Sequence, residues 1–259
     1  MCVNGQLRLD AREVSGCVLR GRVVRLDQFA NIVLTVNTQD VPTMLTGNDR
    51  TADYSGLFVE IVEVREYAPN YYPLGDRPDL DFHGGDNTFD IGCFGAIRPL
   101  KNQLLQAIAA LQFCMQTRRY LRFHINSSRV EQSGDPILRN LRSLFQHTRH
   151  AELVEHPWMD HDQFVEVLSG MDFSMCASFS ETFCIVAADS ASVGVPVIAS
   201  PQIPWIGEYA QVPPNDMTAM VLALMRAEMT RRHWAARQWL ELSAYNEETI
   251  DVWRDLLRD

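Results

Sequence analysis

Ser178, Ser180, Glu181 and Thr182 crowd one short stretch, and Asp189 follows eight residues after Glu181. Hydroxyls and a carboxylate gathered where a helix begins lie beside exposed backbone N–H groups and the positive end of the helix dipole. That combination makes an anion site. Two turns of helix take about 7.2 residues, so the spacing expects Glu181 and Asp189 near one helix edge. A second group of chemically useful residues is Gly95-Ala-Ile-Arg-Pro-Leu-Lys-Asn102. Gly95 permits close backbone approach. Arg98 is able to chelate two phosphate oxygens, and Lys101 acts as a point charge. On spacing alone, each stretch also suits a plain reading: Ser/Glu capping of an ordinary strand–helix–strand unit, and a solvated turn.

The elements around these residues alternate. Residues 89–94 read as a strand ending at Gly95, and 100–117 carry helical periodicity through Leu104, Leu105, Ile108, Leu111 and Phe113. Further strands are expected at 120–125, 153–155, 173–176 and 195–199, with helices at 136–147, 161–168 and 183–193. Asp135 and Pro136 open the first of these helices, and Gly194-Val195-Pro196 stops the last. Strands alternating with helices of this length predict an α/β, doubly wound parallel sheet. Ligands of such sheets bind beyond the carboxyl ends of the strands, where 95–102 and 178–182 both fall. The tail 216–259 reads as helical, with Trp234, Trp239 and Trp253 as packing residues.

The first part of the chain is less regular. Short strands are expected around 16–26, a buried strand at 32–36, a short helix at 40–45 and a strand at 57–64. Residues 65–87, rich in Pro, Gly, Asp and Tyr, mark a connection. Asp76, Asp79, Asp81, His83 and Asp86 crowd that connection in a spacing that matches no metal loop, which favours a solvated acidic linker over a cation site.

Composition narrows the function classes. The 259 residues are 46% hydrophobic and 22% charged, which fits a soluble globular protein of one or two domains. No apolar run is long enough to span a membrane, and the N-terminus lacks the pattern of a secretory signal. Cys2, Cys17, Cys93, Cys114, Cys176 and Cys184 are scattered without C-x-x-C pairs, which fits small hydrophobes in a reducing cytoplasm rather than zinc or disulfides. A net charge of −10 gives no overall attraction to nucleic acid.

From about Phe89 to the C-terminus, the chain resembles the donor-binding half of a retaining GT-B glycosyltransferase of the glycogen synthase/sucrose synthase-like group. The resemblance rests on GAIRPLKN (95–102), on SFSETFCIVAADSASVGVPVIAS (178–200) and on YNEETIDVWRDLL (245–257). The second block is the specific one, being similar to the family's E-x(7)-E motif followed by A-x-G-x-P-V-I-A-S. The resemblance implies a Rossmann-like domain at 89–259, with 1–88 as a reduced N-terminal α/β part and linker. It also implies a nucleotide-diphosphate sugar as donor substrate, with no other cofactor and no metal. Lys101 matches the family's diphosphate-binding lysine. Ala96 stands where the family usually has an arginine, and Arg98, two residues on, is expected to reach the same phosphates. Glu181 matches the first motif glutamate, near the donor sugar, and Asp189 stands where the second glutamate grips the ribose. Gly95, Ser180, Thr182 and Phe183 complete the donor-binding set, with the amides of Thr182 and Phe183 toward the distal phosphate. The segment 153–158 falls where the family holds the base, with His156 or Trp158 as stacking candidates.

The expected chemistry is hexosyl transfer to an unknown acceptor with retention. Lys101, Arg98 and the helix start would stabilise the departing phosphate. Because only residues 1–88 precede the matched segment, three arrangements compete. The chain is a compact enzyme, or it takes its acceptor side from a partner or a second copy, or it binds nucleotide without catalysis. Glycosylation of modified DNA bases is a further alternative, disfavoured by the acidic charge.

Overall fold

The computed structural model describes residues 70–80 and 87–258, together with five short strands nearer the N-terminus. These are β1 (Cys2–Val3), β2 (Gln6–Leu7), β3 (Leu34–Thr38), β4 (Val41–Leu45) and β5 (Glu63–Val64). The chain divides into two compact units, Met1–Tyr72 with Asn246–Asp259, and Pro73–Tyr245. The boundary expected at 88/89 therefore falls inside the second unit.

In the first unit β1 pairs antiparallel with β2, and β3 pairs antiparallel with β4, Leu34 opposite Leu45. β4 then pairs parallel with β5. The helix expected at 40–45 is instead strand β4. Val41 and Thr43 are β-branched, which favours extended backbone, and the pairing with β3 rewards it. Tyr72 closes onto Asn246: its N–H donates to Asn246 Oδ1 at 3.1 Å, and Asn246 Nδ2 donates to the Tyr72 carbonyl at 2.7 Å. The strands expected at 16–26, most of that at 57–64, and the side chain of Trp253 lie outside the described residues, as do Asp81, His83 and Asp86. Asp76 and Asp79 are exposed on irregular backbone.

The second unit is a five-stranded, wholly parallel sheet. Its strands are β6 (Thr88–Gly92), β7 (Tyr120–Asn126), β8 (Ala151–His156), β9 (Phe173–Cys176) and β10 (Val197–Ala199), in spatial order β10-β9-β6-β7-β8. Helices α1 (Gln103–Thr117), α2 (Asp135–Gln146), α3 (His161–Ser169), α4 (Ile185–Ser192) and α5 (Met217–Met229) follow in order, and α6 (Arg231–Arg258) belongs to this unit as far as Tyr245. Alternating side chains of β6 point to opposite faces. On one face Phe89 meets Phe113 of α1 at 5.0 Å between ring centroids, and Phe123 stacks on Phe145 of α2 at 5.7 Å. On the other, Phe94 meets Phe164 of α3 edge-on at 5.2 Å. The sheet is thus wound on both sides, as the alternation of the sequence predicts.

Strand order reverses beside β6: the chain proceeds outward through β7 and β8, then returns to place β9 on the other flank. At such a switch point the loops leaving adjacent strands diverge and open a crevice. The two loops here are those following β6 and β9.

Candidate functional site

Gly95 begins the loop after β6 at φ +108°, a conformation that L side chains rarely adopt. Its N–H donates to Asn126 Oδ1 at 2.9 Å, which ties it to the end of β7. A single 3₁₀ turn, Pro99–Lys101, follows, and Asn102 ends it at φ 59° in the left-handed region that asparagine tolerates. From there the Asn102 amide donates to the carbonyls of Ala177 at 3.0 Å and Pro214 at 2.6 Å. Gln106, one turn into α1, accepts from the Ala177 N–H at 2.8 Å and donates to the Lys101 carbonyl at 2.8 Å. Phe179 N–H donates to the Leu100 carbonyl at 2.8 Å. Five hydrogen bonds therefore bind the β6 and β9 loops together or to their supports.

The clamp brings Lys101 onto Glu181. Nζ donates to Oε1, with the two side chains 14% and 8% exposed. Burial alone pulls the Lys101 pKa down, but the Glu181 carboxylate beside it outweighs burial and leaves the pKa raised. The ammonium is therefore charged at any ordinary pH. Cys93 and Cys184 line the same region, and burial pushes the Cys93 thiol up to about 12, so it stays a neutral, inert hydrophobe.

Glu181 and Asp189 do not share a helix face. Helix α4 begins at Ile185, not at Phe183, because Cys184 sits at φ 61° and breaks the helical run. The Phe183 carbonyl is meanwhile taken by Trp205 Nε1 at 2.8 Å, and the Phe183 ring packs on Trp205 and Tyr245. Ser180, Glu181, Thr182 and Phe183 thus form a turn ahead of α4. Asp189 lies within α4, its side chain 2% exposed, with Oδ1 2.9 Å from His161 Nε2. Arg98 turns toward Glu131, with Nη1 4.0 Å from Oε2, and its Nε is buried without a hydrogen-bond partner.

At the far side of the sheet, Trp158 is exposed, stacked beneath the Arg129 guanidinium at 4.4 Å, and His156 is part of a half-buried relay. His156 Nε2 lies 2.9 Å from His124 Nδ1, and His124 Nε2 lies 2.8 Å from Asp90 Oδ1. Burial and then the neighbouring His124 hold the His156 pKa below 6.5.

Sequence reasoning did not single out Asn102, Gln106 or His161. The first two carry a faint signal, being polar residues a turn apart on an otherwise apolar helix start. His161 carries none, since only packing brings it to Asp189. Among the described residues, no group of three or more His, Cys, Asp or Glu side chains is arranged to hold a metal, and no helix is long and apolar enough to cross a membrane.

No family model and no curated protein matches this sequence. Solved structures do. TarM of S. aureus, in complex with fondaparinux, α-GlcNAc-glycerol and UDP, aligns at TM-score 0.59 and 14% identity over 84% of this chain and 43% of that one. Sucrose-phosphate synthase from Thermosynechococcus elongatus aligns at 0.58 and 19% identity over 86% of this chain and 59% of that one. The pneumococcal O-GlcNAc transferase GtfA, in complex with UDP and GlcNAc, aligns at 0.55 and 14% identity over 83% and 44%. These likenesses show that the chain has a GT-B glycosyltransferase fold. The chain spans between 43% and 59% of the length of these three structures.

Proposed function

We propose that the chain binds a nucleotide-diphosphate sugar at the β6/β9 switch point and transfers the sugar to an acceptor hydroxyl with retention. The observation that carries this reading is the buried Lys101–Glu181 pair, built by the two loops that flank the crevice of a glycosyltransferase fold. The nucleotide part of this reading is supported by two neighbours: TarM and GtfA are each in complex with UDP.

Lys101 is charged and mostly enclosed, so its attraction for a diphosphate is little screened by water. Gly95 leaves room for a phosphate to approach the backbone, and the turn at Ser180, Thr182 and Phe183 supplies further polar groups. In the reaction the bond between the sugar's anomeric carbon and the phosphate oxygen breaks, and the nucleoside diphosphate leaves with the electron pair. The acceptor oxygen attacks from the same face, and its proton passes to the departing phosphate. Lys101 neutralises the charge that develops there. Glu181 holds Lys101 in place before binding and faces the sugar once the phosphate has drawn the ammonium away. Arg98 joins the phosphate only by leaving Glu131, so its contribution is the smaller of the two cations. No step calls on a metal.

Donor binding followed by turnover tests this reading. UDP-, GDP- and ADP-sugars are titrated against the chain, and release of nucleoside diphosphate is followed with and without acceptor sugars. Saturable binding with turnover abolished by Lys101→Ala is expected. One second reading is nucleotide binding without catalysis, or with the acceptor side supplied by a partner chain. Binding with no turnover on any acceptor selects it.

A further inference from the structure

The arginines of this acidic chain are unevenly placed. Residues 115–150 hold seven of them against two acidic residues, although the whole chain carries a net charge of −10. Arg122, Arg129 and Arg142 are held by Asp90, Glu131 and Glu155. Arg118, Arg139 and Arg149 are exposed, and among the described residues none of them forms an ion pair. Arg226 of α5 is in the same condition.

The fold gathers three of these four at one corner. Helix α1 links two parallel strands, so it runs back beside them and ends at the amino edge of the sheet, opposite the crevice. Arg118 is the C-cap residue of that end. The turn carrying Arg149 lies beside it, with the His150 carbonyl accepting from Leu121 N–H at 3.1 Å. Arg119 Nη2 lies 3.8 Å from Glu228 Oε1, which brings the last turn of α5, with Arg226 and Met229, to the same place. Residues three apart on a helix share a face, so Met115 stands with Arg118 and Met229 with Arg226. Met229 is 84% exposed and Met115 71%, the two most exposed large apolar side chains among the described residues. The helix dipole accounts for Arg118 and Arg226 at helix C-termini. It gives no reason for two methionines standing in water beside them.

We infer that this corner binds an anionic lipid surface: Arg118, Arg149 and Arg226 meet headgroup phosphates, while Met115 and Met229 enter the layer between headgroups and acyl chains. A guanidinium fork matches phosphate oxygens, and a negatively charged bilayer attracts a cluster of arginines. Thioether side chains are flexible and adapt to an irregular apolar layer. The rest of the acidic molecule is repelled by the same surface, so the corner faces it and the β6/β9 crevice, at the opposite edge, opens away. Single-stranded nucleic acid fits less well, because it calls for aromatic platforms. The exposed aromatics of this unit, Trp158 and Phe179, follow β8 and β9 at the carboxyl edge. The corner's chemistry is independent of what the crevice binds.

The test is sedimentation of the full chain with vesicles of equal parts phosphatidylglycerol and phosphatidylcholine, against vesicles of phosphatidylcholine alone. Binding to the mixed vesicles only, weakened by salt, is expected. Each arginine beside an anionic surface contributes roughly a fivefold factor, so Arg118→Ser, Arg149→Ser and Arg226→Ser combined should weaken partition about a hundredfold. Met115→Ser with Met229→Ser should weaken it about tenfold. All five side chains are exposed, and melting curves verify that both variants fold. Equal partition onto the two vesicles, no partition, or unaltered partition of the arginine variant overturns the proposal. Loss in the arginine variant with none in the methionine variant also overturns it, leaving the corner a site for soluble polyanions, which competition by a DNA duplex would show.

Discussion

Lys101–Glu181 and His161–Asp189 are both acid-containing pairs formed between different loops or helices of one sheet, yet they are built in opposite senses. In the first, both members are withdrawn from water, at 14% and 8% exposure, and each satisfies the other. In the second, the carboxylate is withdrawn and its partner stands in solvent, at 2% and 61%. A closed pair has to open before either member meets a ligand, which makes it suited to a charged group strong enough to compete for the ammonium. A half-open pair already presents its imidazole to solvent and needs no opening. The difference in burial thus separates a pair that must open before it meets a ligand from one that already meets solvent.

The sharpest way to break that contrast is Glu181→Ala. It leaves the Lys101 ammonium enclosed without its counter-charge, a defect that costs about 3–5 kcal/mol. Replacing both residues by apolar ones of similar size should recover most of the loss. Urea unfolding of the single and double variants measures both; a single-variant loss under about 1 kcal/mol would place the pair among ordinary surface bridges. Leu168→Ala attacks the half-open pair through its support. Leu168 is fully buried in the cluster that joins α3 to α4, and truncation there should cost about 2–5 kcal/mol. The melting temperature should fall accordingly; a loss under about 1 kcal/mol would show that the cluster does not hold the two helices together.

Gly95→Ala sharpens the closed pair. The nearest atom to an added Cβ is Lys101 Cε at 3.7 Å, so space is sufficient, and the penalty comes from φ +108°. A loss of about 1–3 kcal/mol is expected from thermal denaturation. Acidification is the mildest perturbation. His156, held below its ordinary 6.5 by burial and by His124, charges more readily in the unfolded chain. Stability should therefore be full above pH 6.5 and decline as pH falls through that value toward the lower folded pKa. His156→Asn should flatten the decline between pH 7.5 and 5.5 in chemical denaturation curves; an unchanged slope would assign it to other groups.

Much of the fold was legible because its signals are local. Phe89, Ile91, Leu121, Phe123, Ile125 and Phe173 form apolar strands buried against helices whose periodicity is equally plain. Where a local signal was weak, pairing decided: Val41–Leu45 became a strand because β3 lies beside it. Helix α4 started late because Cys184 takes φ 61° ahead of it, next to the Phe183 carbonyl that Trp205, twenty-two residues on, holds. That break also separates Glu181 from the helix carrying Asp189, which spacing alone had joined.

By itself the sequence determined the alternation of strands and helices, the placement of Gly95, Lys101 and Glu181 in loops at strand ends, and the polar turn before α4. These follow from side-chain periodicity and backbone preference, which act over a few residues. Only the tertiary structure decided that β9 returns beside β6 and sets those loops face to face, with Asn102 and Gln106 holding them. It likewise decided that Arg98 faces Glu131 and that His161 stands before Asp189. Those outcomes depend on strand order and on the packing of α3 against α4, contacts between residues far apart in the chain that no local pattern encodes.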